Sequence, residues 1–520
     1  SNHVHVSENE GQSWEIISPD LTRNDPEKLR SSGGPITQDN TGVEYYCTIF
    51  AANESPLEEG LMWVGSDDGL IHLTRDGGAN WENSTPAQMP KWLMINSIEP
   101  SPFDPAVCYV AGTLYKTGDF QPYLYKTADY GKTWKKITNG IDNEHFTRVL
   151  RADPSKEGLL YAGTETGMYV SFDDGSSWSP FQMNLPIVPI TDLAIKNNSL
   201  IVATQGRSLW MLDDLTVLHQ LNSSTSNAAM TLFKPKDSYR TQGRSGGSSL
   251  TQGTNLPNGV IVHFNLKSYE KAKDTVLIHF KEKDGTLIKT YSTASEDNTL
   301  AVTEGGNKFV WNTRYDGAET LDGMIFWSAS FSGAKAIPGN YTVSLEFNGQ
   351  QQSKEFTILK DPRAEVELAE MKQQFDFVNK VNTTVDEAHK AIKNIRSINT
   401  KLADFEKNYG DMEETKELLA EVKALKKEFS DIEKALYQTQ NRSNQDPLNF
   451  PIRLTNKLGH LNRLVTINDF PPTAQDEAVR IELTAEVEKQ MEHYNKLISE
   501  DLEAFNTAFA KLNLDYLTLK

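Results

Sequence analysis

Cysteine is almost missing from this sequence of 520 residues: there are two, Cys47 and Cys108. No Cys-x-x-Cys pair exists, which argues against a structural zinc site built on one. Both thiols read as free core residues. Long apolar runs are also missing. Hydrophobic residues make up 38% of the chain, and no run approaches the length of a membrane span, so no transmembrane segment is expected. Positive charge is short: 52 Lys and Arg face 71 Asp and Glu, a formal net charge of −19. Electrostatic binding of nucleic acid needs a basic surface, so no nucleic-acid partner is expected. His389 and His460 are too isolated to argue for a metal, and neither metal nor cofactor is expected.

What the sequence does contain is self-similarity. SENEGQSW (7–14) recurs as TRDGGANW (74–81), TADYGKTW (127–134) and SFDDGSSW (171–178). The shared pattern is Ser/Thr-x-Asp-x-Gly-x-x-Trp, with Asn9 replacing the acid in the first copy. The chemistry is that of a tight hairpin. An Asp side chain bonds turn amides, Gly supplies a backbone angle other residues avoid, and Trp covers the turn from the next strand. Asp76, Asp129, Asp173, Trp81, Trp134 and Trp178 are therefore expected to be structural.

The pattern resembles the Asp-box, or BNR, repeat of sialidase-like, sortilin-like and xyloglucanase-like β-propellers. Each box lies in a longer unit of four short strands, so blades are expected near 44–84, 95–137, 146–182 and 190–218, the last without a box. Aligning SNHVHVS with the end of VGSDDGLIHLT places Ser1 just after the second strand of a blade. Residues 1–218 are thus expected to supply about four and a half blades of a propeller. The N-terminal portion of the same polypeptide is expected to complete it.

In such propellers the boxes line one face and ligands usually bind at the other. That resemblance implies that the useful loops join second to third strands, or one blade to the next. The expected ligand-binding residues are Asp39, Glu44, Asp67, Asp68, Trp92, Lys116, Asp119, Tyr123, Glu165, Gln205 and Arg207. Carboxylates with aromatics suit a sugar. A glycoside hydrolase needs two carboxyl groups about 5–10 Å apart, one of them held protonated. No complete catalytic set is evident, and no Arg-Ile-Pro motif of the sialidase type occurs.

Residues 219–230 read as a polar linker. Residues 231–362 then show alternating strands, including GVIVHFNL, NKFVWNTR and GNYTVSLEF, and a hairpin at KEKDGTLI. They look like an immunoglobulin-type sandwich of the flagellar hook-capping kind. From residue 363 the period changes to about three and a half. Seams such as Leu418, Val422, Leu425, Phe429, Ile432 and Leu436 predict helices over 364–407, 411–440, 450–468 and 474–513. The expectation is a four-helix bundle, with a seam free to join a second copy. The fold class is mainly β plus α.

The whole order resembles large bacterial proteins, common in Bacteroidetes, labelled BNR-repeat glycosyl hydrolase or sortilin N-terminal-like. That resemblance implies an extracytoplasmic location. Two functions follow from it: binding of a glycan, with or without its hydrolysis, or sortilin-like holding of a peptide without catalysis. Fold alone does not choose between them.

Overall fold

The repeats fold as successive up-and-down antiparallel sheets. In this computed structural model, which describes residues 1–41, 45–241 and 253–512, the chain divides into two units, Ser1–Leu221 and Asn222–Lys520.

The first unit begins with a two-stranded ribbon, β1 (His5–Val6) and β2 (Glu15–Ile16). Three four-stranded sheets follow. One holds β3 (Ile49–Glu54), β4 (Met62–Ser66), β5 (Ile71–Thr74) and β6 (Glu82–Asn83). The next holds β7 (Met94–Pro100), β8 (Cys108–Leu114), β9 (Asp119–Thr127) and β10 (Lys135–Lys136). A third holds β11 (Thr147–Ala152), β12 (Leu160–Thr164), β13 (Gly167–Ser171) and β14 (Ser179–Pro180). The last has three strands, β15 (Ile190–Lys196), β16 (Ser199–Thr204) and β17 (Leu209–Leu212).

Neighbouring strands in each sheet are consecutive in the chain, and the first strands β3, β7, β11 and β15 adjoin one another in that order. Cores form between sheets rather than within them. Trp63 and Ile71 pack with Ile95 and Val110; Tyr109 and Leu124 with Leu150 and Ala162; Tyr161 and Met168 with Leu193 and Val202. Glycines near the ends of β4 and β12 make this approach possible. A Cβ on Gly65 would lie 2.3 Å from Ile95 Cγ2, and one on Gly163 would lie 2.7 Å from Ile190 Cγ2. Cys47 and Cys108 are free and buried.

The stretch read as a linker carries two short helices, α1 (Thr216–Gln220) and α2 (Ser223–Asn227). Asn222 explains the second: its side chain caps the amides of Ser224 and Thr225, and Thr225 returns the bond.

In the second unit, β18 (Met230–Leu232), β19 (Ser238–Arg240), β20 (Val260–Leu266), β21 (Val276–Glu282), β22 (Leu287–Ser292), β23 (Gly305–Trp311), β24 (Gly339–Phe347) and β25 (Gln350–Lys360) build two sheets. Their orders are β18-β20-β23 and β19-β25-β24-β21-β22. They share a core in which Phe280 stacks on Trp311 at 4.4 Å. The predicted hairpin joins β21 to β22.

The C-terminal region is helical: α3 (Leu368–Tyr409), α4 (Lys416–Leu436), α5 (Leu454–Val465), α6 (Ala474–Lys496) and α7 (Leu502–Lys511). The period-3.5 seams form its core, with α3 against α4, α5 and α6. The last predicted helix is divided by a π-helical turn at Leu497–Asp501. The seam explains it: Leu497 to Leu502 is a five-residue step, which a π turn keeps on one face and an α turn does not. No helix among the described residues is long and apolar enough to cross a membrane.

Candidate functional site

The repeated turns share one hydrogen-bond pattern. Asp76 Oδ1 accepts from the Asn80 amide at 2.8 Å, Asp129 from Thr133 at 2.9 Å and Asp173 from Ser177 at 2.8 Å. All three carboxyls lie below the usual range. At Asp76 and Asp129 the side chains of Asn80 and Thr133, and then their amides, lower them. At Asp173 burial, the largest single influence, is outweighed by the bonds from Ser177 and Ser171. Each Trp reaches back to the preceding sheet. Trp81 Nε1 donates to Ile17 O at 2.9 Å, Trp134 to Ser84 O at 2.8 Å and Trp178 to Ile137 O at 2.7 Å. In every case the acceptor is the residue just after the outer strand. Asn9 keeps the turn, accepting from the Ser13 amide at 2.9 Å, but Trp14 is 61% exposed.

The loops from second to third strands lie at the other end of the third strands from these turns. Asp67 and Asp68 on the first such loop are committed to backbone. Asp67 accepts from Thr48 N at 2.8 Å, and Asp68, fully buried, from Arg23 N at 2.7 Å. Arg23 lies over Trp92 at 5.3 Å, with Tyr46 6.0 Å from the same ring. Asp39 accepts from Thr41 N and, with Tyr45, Tyr46 and Lys28, lines a hollow of about 120 Å³. Glu44 lies outside the described residues.

On the second loop Lys116 is exposed, and Asp119 accepts from the Tyr123 hydroxyl at 2.6 Å. Burial first, and then Asp119, pushes that phenol's pKa up. Glu165 on the third loop pairs with Arg148 at 2.6 Å. Gln205 and Arg207, on the last loop, are exposed. Among the described residues the Arg207 side chain bonds only Gly206 O, at 3.3 Å, while its own carbonyl accepts from Trp210 Nε1. The structure therefore gathers Asp68 and Trp92 about Arg23, leaves Asp67 on Thr48, and links Asp119 to Tyr123. The side chains of Gln205 and Arg207 make no bond to the other predicted residues among those described.

A more regular feature escaped the sequence reading. Each of the four first strands has a β-bulge near its start. The register skips one residue between Ile49 and Ala51, Ile95 and Ser97, Thr147 and Val149, and Ile190 and Asp192. The skipped residues are Phe50, Asn96, Arg148 and Thr191, and all four line one open hollow of about 330 Å³. Bulges re-aim side chains, and here they aim four at one place. Asn53, Arg151 and Asp192 share the lining.

Arg148 joins this hollow to an aromatic group. Its guanidinium lies 5.7 Å from the Tyr115 ring and 5.3 Å from the Phe146 ring. Those rings stack on each other at 4.9 Å, and Phe120, half exposed, lies 6.1 Å from Phe146. Arg151 crosses three first strands, donating to Ser97 Oγ at 2.7 Å, Leu193 O at 2.9 Å and Asp192 Oδ1 at 2.8 Å. Its fourth neighbour, Glu99, lies 3.7 Å away, and burial pushes that carboxyl up to about 7 against the pull of Arg151. The sequence carries the repeat register but not the bulge itself. Aligning IFAA, INSI, TRVL and ITDL by repeat places the four bulge residues in one column.

No family model and no curated protein matches the chain. Among solved structures, YCF48 from Cyanidioschyzon merolae shares 17% identity at a TM-score of 0.25, covering 32% of this chain and 53% of its own. A GH74 xyloglucanase from Xanthomonas campestris shares 13% at 0.31, covering 51% and 40%. The Cps50 (Swd1) β-propeller domain of Myceliophteria thermophila shares 12% at 0.26, covering 46% and 72%. The chain thus spans about half of the first of these and less of the second. These TM-scores carry no argument, so the architecture rests on the sheets, turns and bulges described above.

Proposed function

We propose that Ser1–Leu221 is part of an Asp-box β-propeller, about four and a half blades, and that it binds a glycan in the hollow at its bulged first strands. The observation that carries the reading is the repetition of one bulge in four consecutive sheets, each turning its extra residue into the same hollow. A sugar chain needs an apolar plate for its ring faces and planar hydrogen-bonding groups for its hydroxyls. Phe50 and the Tyr115–Phe146 stack supply the first; Asn53, Asn96 and the two arginines supply the second. Extracytoplasmic location belongs to the same proposal and rests on the family resemblance.

The test is titration of a panel of neutral and acidic oligosaccharides, read by calorimetry. Binding should weaken about tenfold or more in Phe50→Ala and in Asn96→Ala, both of which line the hollow. A panel without binders, or two variants that bind like the parent, would remove the glycan reading. A bound peptide in its place would support a receptor without catalysis.

A further inference from the structure

The second unit contains a group of cations, one buried and two partly exposed, that nothing above uses. Arg240, at the end of β19, is 2% exposed. Its Nε and Nη2 both donate to Asp469 Oδ1, at 3.1 and 2.8 Å. Its Nη1 donates to the carbonyls of Lys335 and Ala336. Lys335 is bridged to Arg314 in antiparallel pairing, so two like charges stand directly opposite one another. Arg314 Nη1 donates to Gly333 O at 2.9 Å, and Lys335 Nζ to Thr241 O at 2.6 Å. Both acceptors are neutral carbonyls. Neither Arg314 nor Lys335 has an ion-pair partner within 4.0 Å among the described residues.

Three cations thus share one nearby carboxylate, Asp469, whose Oδ1 is taken by Arg240. The other acid within range of Lys335 is Asp361, and it is held by Arg363 at 2.7 Å. The cost of the excess shows on Lys335. Burial first, and then Arg240 and Arg314, bring its ammonium down to about 8 against the pull of Asp469 and Asp361. Between these groups lies a cavity of about 20 Å³, lined by Arg240, Arg314, Lys335, Gln374 and Asp469. A single water-sized particle needs roughly 10–15 Å³ measured this way. A space of this size suits one monatomic ion better than phosphate, sulfate or a carboxylate ligand.

We propose that this cavity is a binding site for a halide-sized anion, chloride in ordinary buffers, held chiefly by Arg314 and Lys335. The ion offsets the opposed charges of the bridge. It also ties the 312–336 segment to β19, α3 and the loop before α6, all of which send side chains or carbonyls to the cluster.

The full chain is heated in sodium chloride and in sodium gluconate at matched ionic strength, with helical ellipticity as the readout, since the long helices belong to this unit. Chloride should raise the midpoint in a saturable manner. Arg314→Met and Lys335→Met should each abolish the saturable part. Crystals grown in sodium bromide should show a bromine anomalous peak between the Arg314 guanidinium and Lys335 Nζ. Equal midpoints in the two salts overturn the proposal, as does an undiminished chloride effect in a folded Arg314→Met protein. If both variants fail to fold, the bromide map of the parent decides alone, and an empty map, leaving water in the cavity, overturns it.

Discussion

Glu99 has an acid's charge at a place that resists it. Burial raises its carboxyl to about 7, from 4.5 for a free side chain. The folded protein therefore binds this proton more tightly than the unfolded chain. Stability from this group is complete below about pH 4.5 and is lost as pH rises through 7. The full loss is about 3 kcal/mol at most. Glu99→Gln removes the proton from the balance. Urea midpoints measured from pH 5 to 8 should fall with pH in the parent and run flatter in the variant; parallel curves would assign the slope elsewhere. Residues of this kind differ in how openly the sequence shows them. Asp129 was legible because its partner Thr133 is four positions on, within the motif itself. Arg148 was not, because a bulge exists only relative to the partner strand, here Thr164 and Gly163.

Among elements, the repeated turn invites a comparison of its own copies. Trp178 is 4% exposed, inside the core shared by two sheets, whereas Trp14 occupies the same motif position at 61% exposure. Trp178→Ala should cost about 3–5 kcal/mol, the range for deleting a buried aromatic. Trp14→Ala in the same chain should change stability by less than about 0.5 kcal/mol. Urea denaturation of both variants tests this, and similar losses would mean that the motif acts locally. Trp134→Phe should cost about 1 kcal/mol, the bond from Nε1 to Ser84 O. Helices were visible in the sequence through their period. The π turn at Leu497–Asp501 was hidden, because a five-residue step between two leucines reads as a gap in an α seam until backbone hydrogen bonds are seen.

At the level of the whole molecule, the change of period from two to three and a half announced a helical C-terminal region, since each period follows from local geometry. What it did not announce is how the 312–336 segment is used. Phe326 and Phe331 from that segment pack on the helical core, and the Ser330 amide donates to Gly459 O at 2.8 Å. A Cβ on Gly459 would lie 2.6 Å from the Phe331 ring. Sheets and helices of the second unit are thus joined by contacts some 130 residues apart in sequence (Trp327 N to Asn456 Oδ1, for one, at 2.7 Å). A fragment covering residues 222–520 should therefore fold alone and lose strand and helix signals in one transition. Gly459→Val should destabilise that fragment by several kcal/mol through overlap with the Phe331 ring and Ala329 Cβ. Two separated transitions in the parent fragment would show that the junction is weaker than its contacts suggest.

The tryptophan bonds of the first unit also have a direction. Trp81, Trp134 and Trp178 each find their acceptor in chain that comes earlier, never later. On a ribosome, the surface that receives each sheet has already left the tunnel when that sheet's own Trp emerges. Docking can proceed one sheet at a time, and exposed apolar faces are covered at the pace of translation rather than at its end.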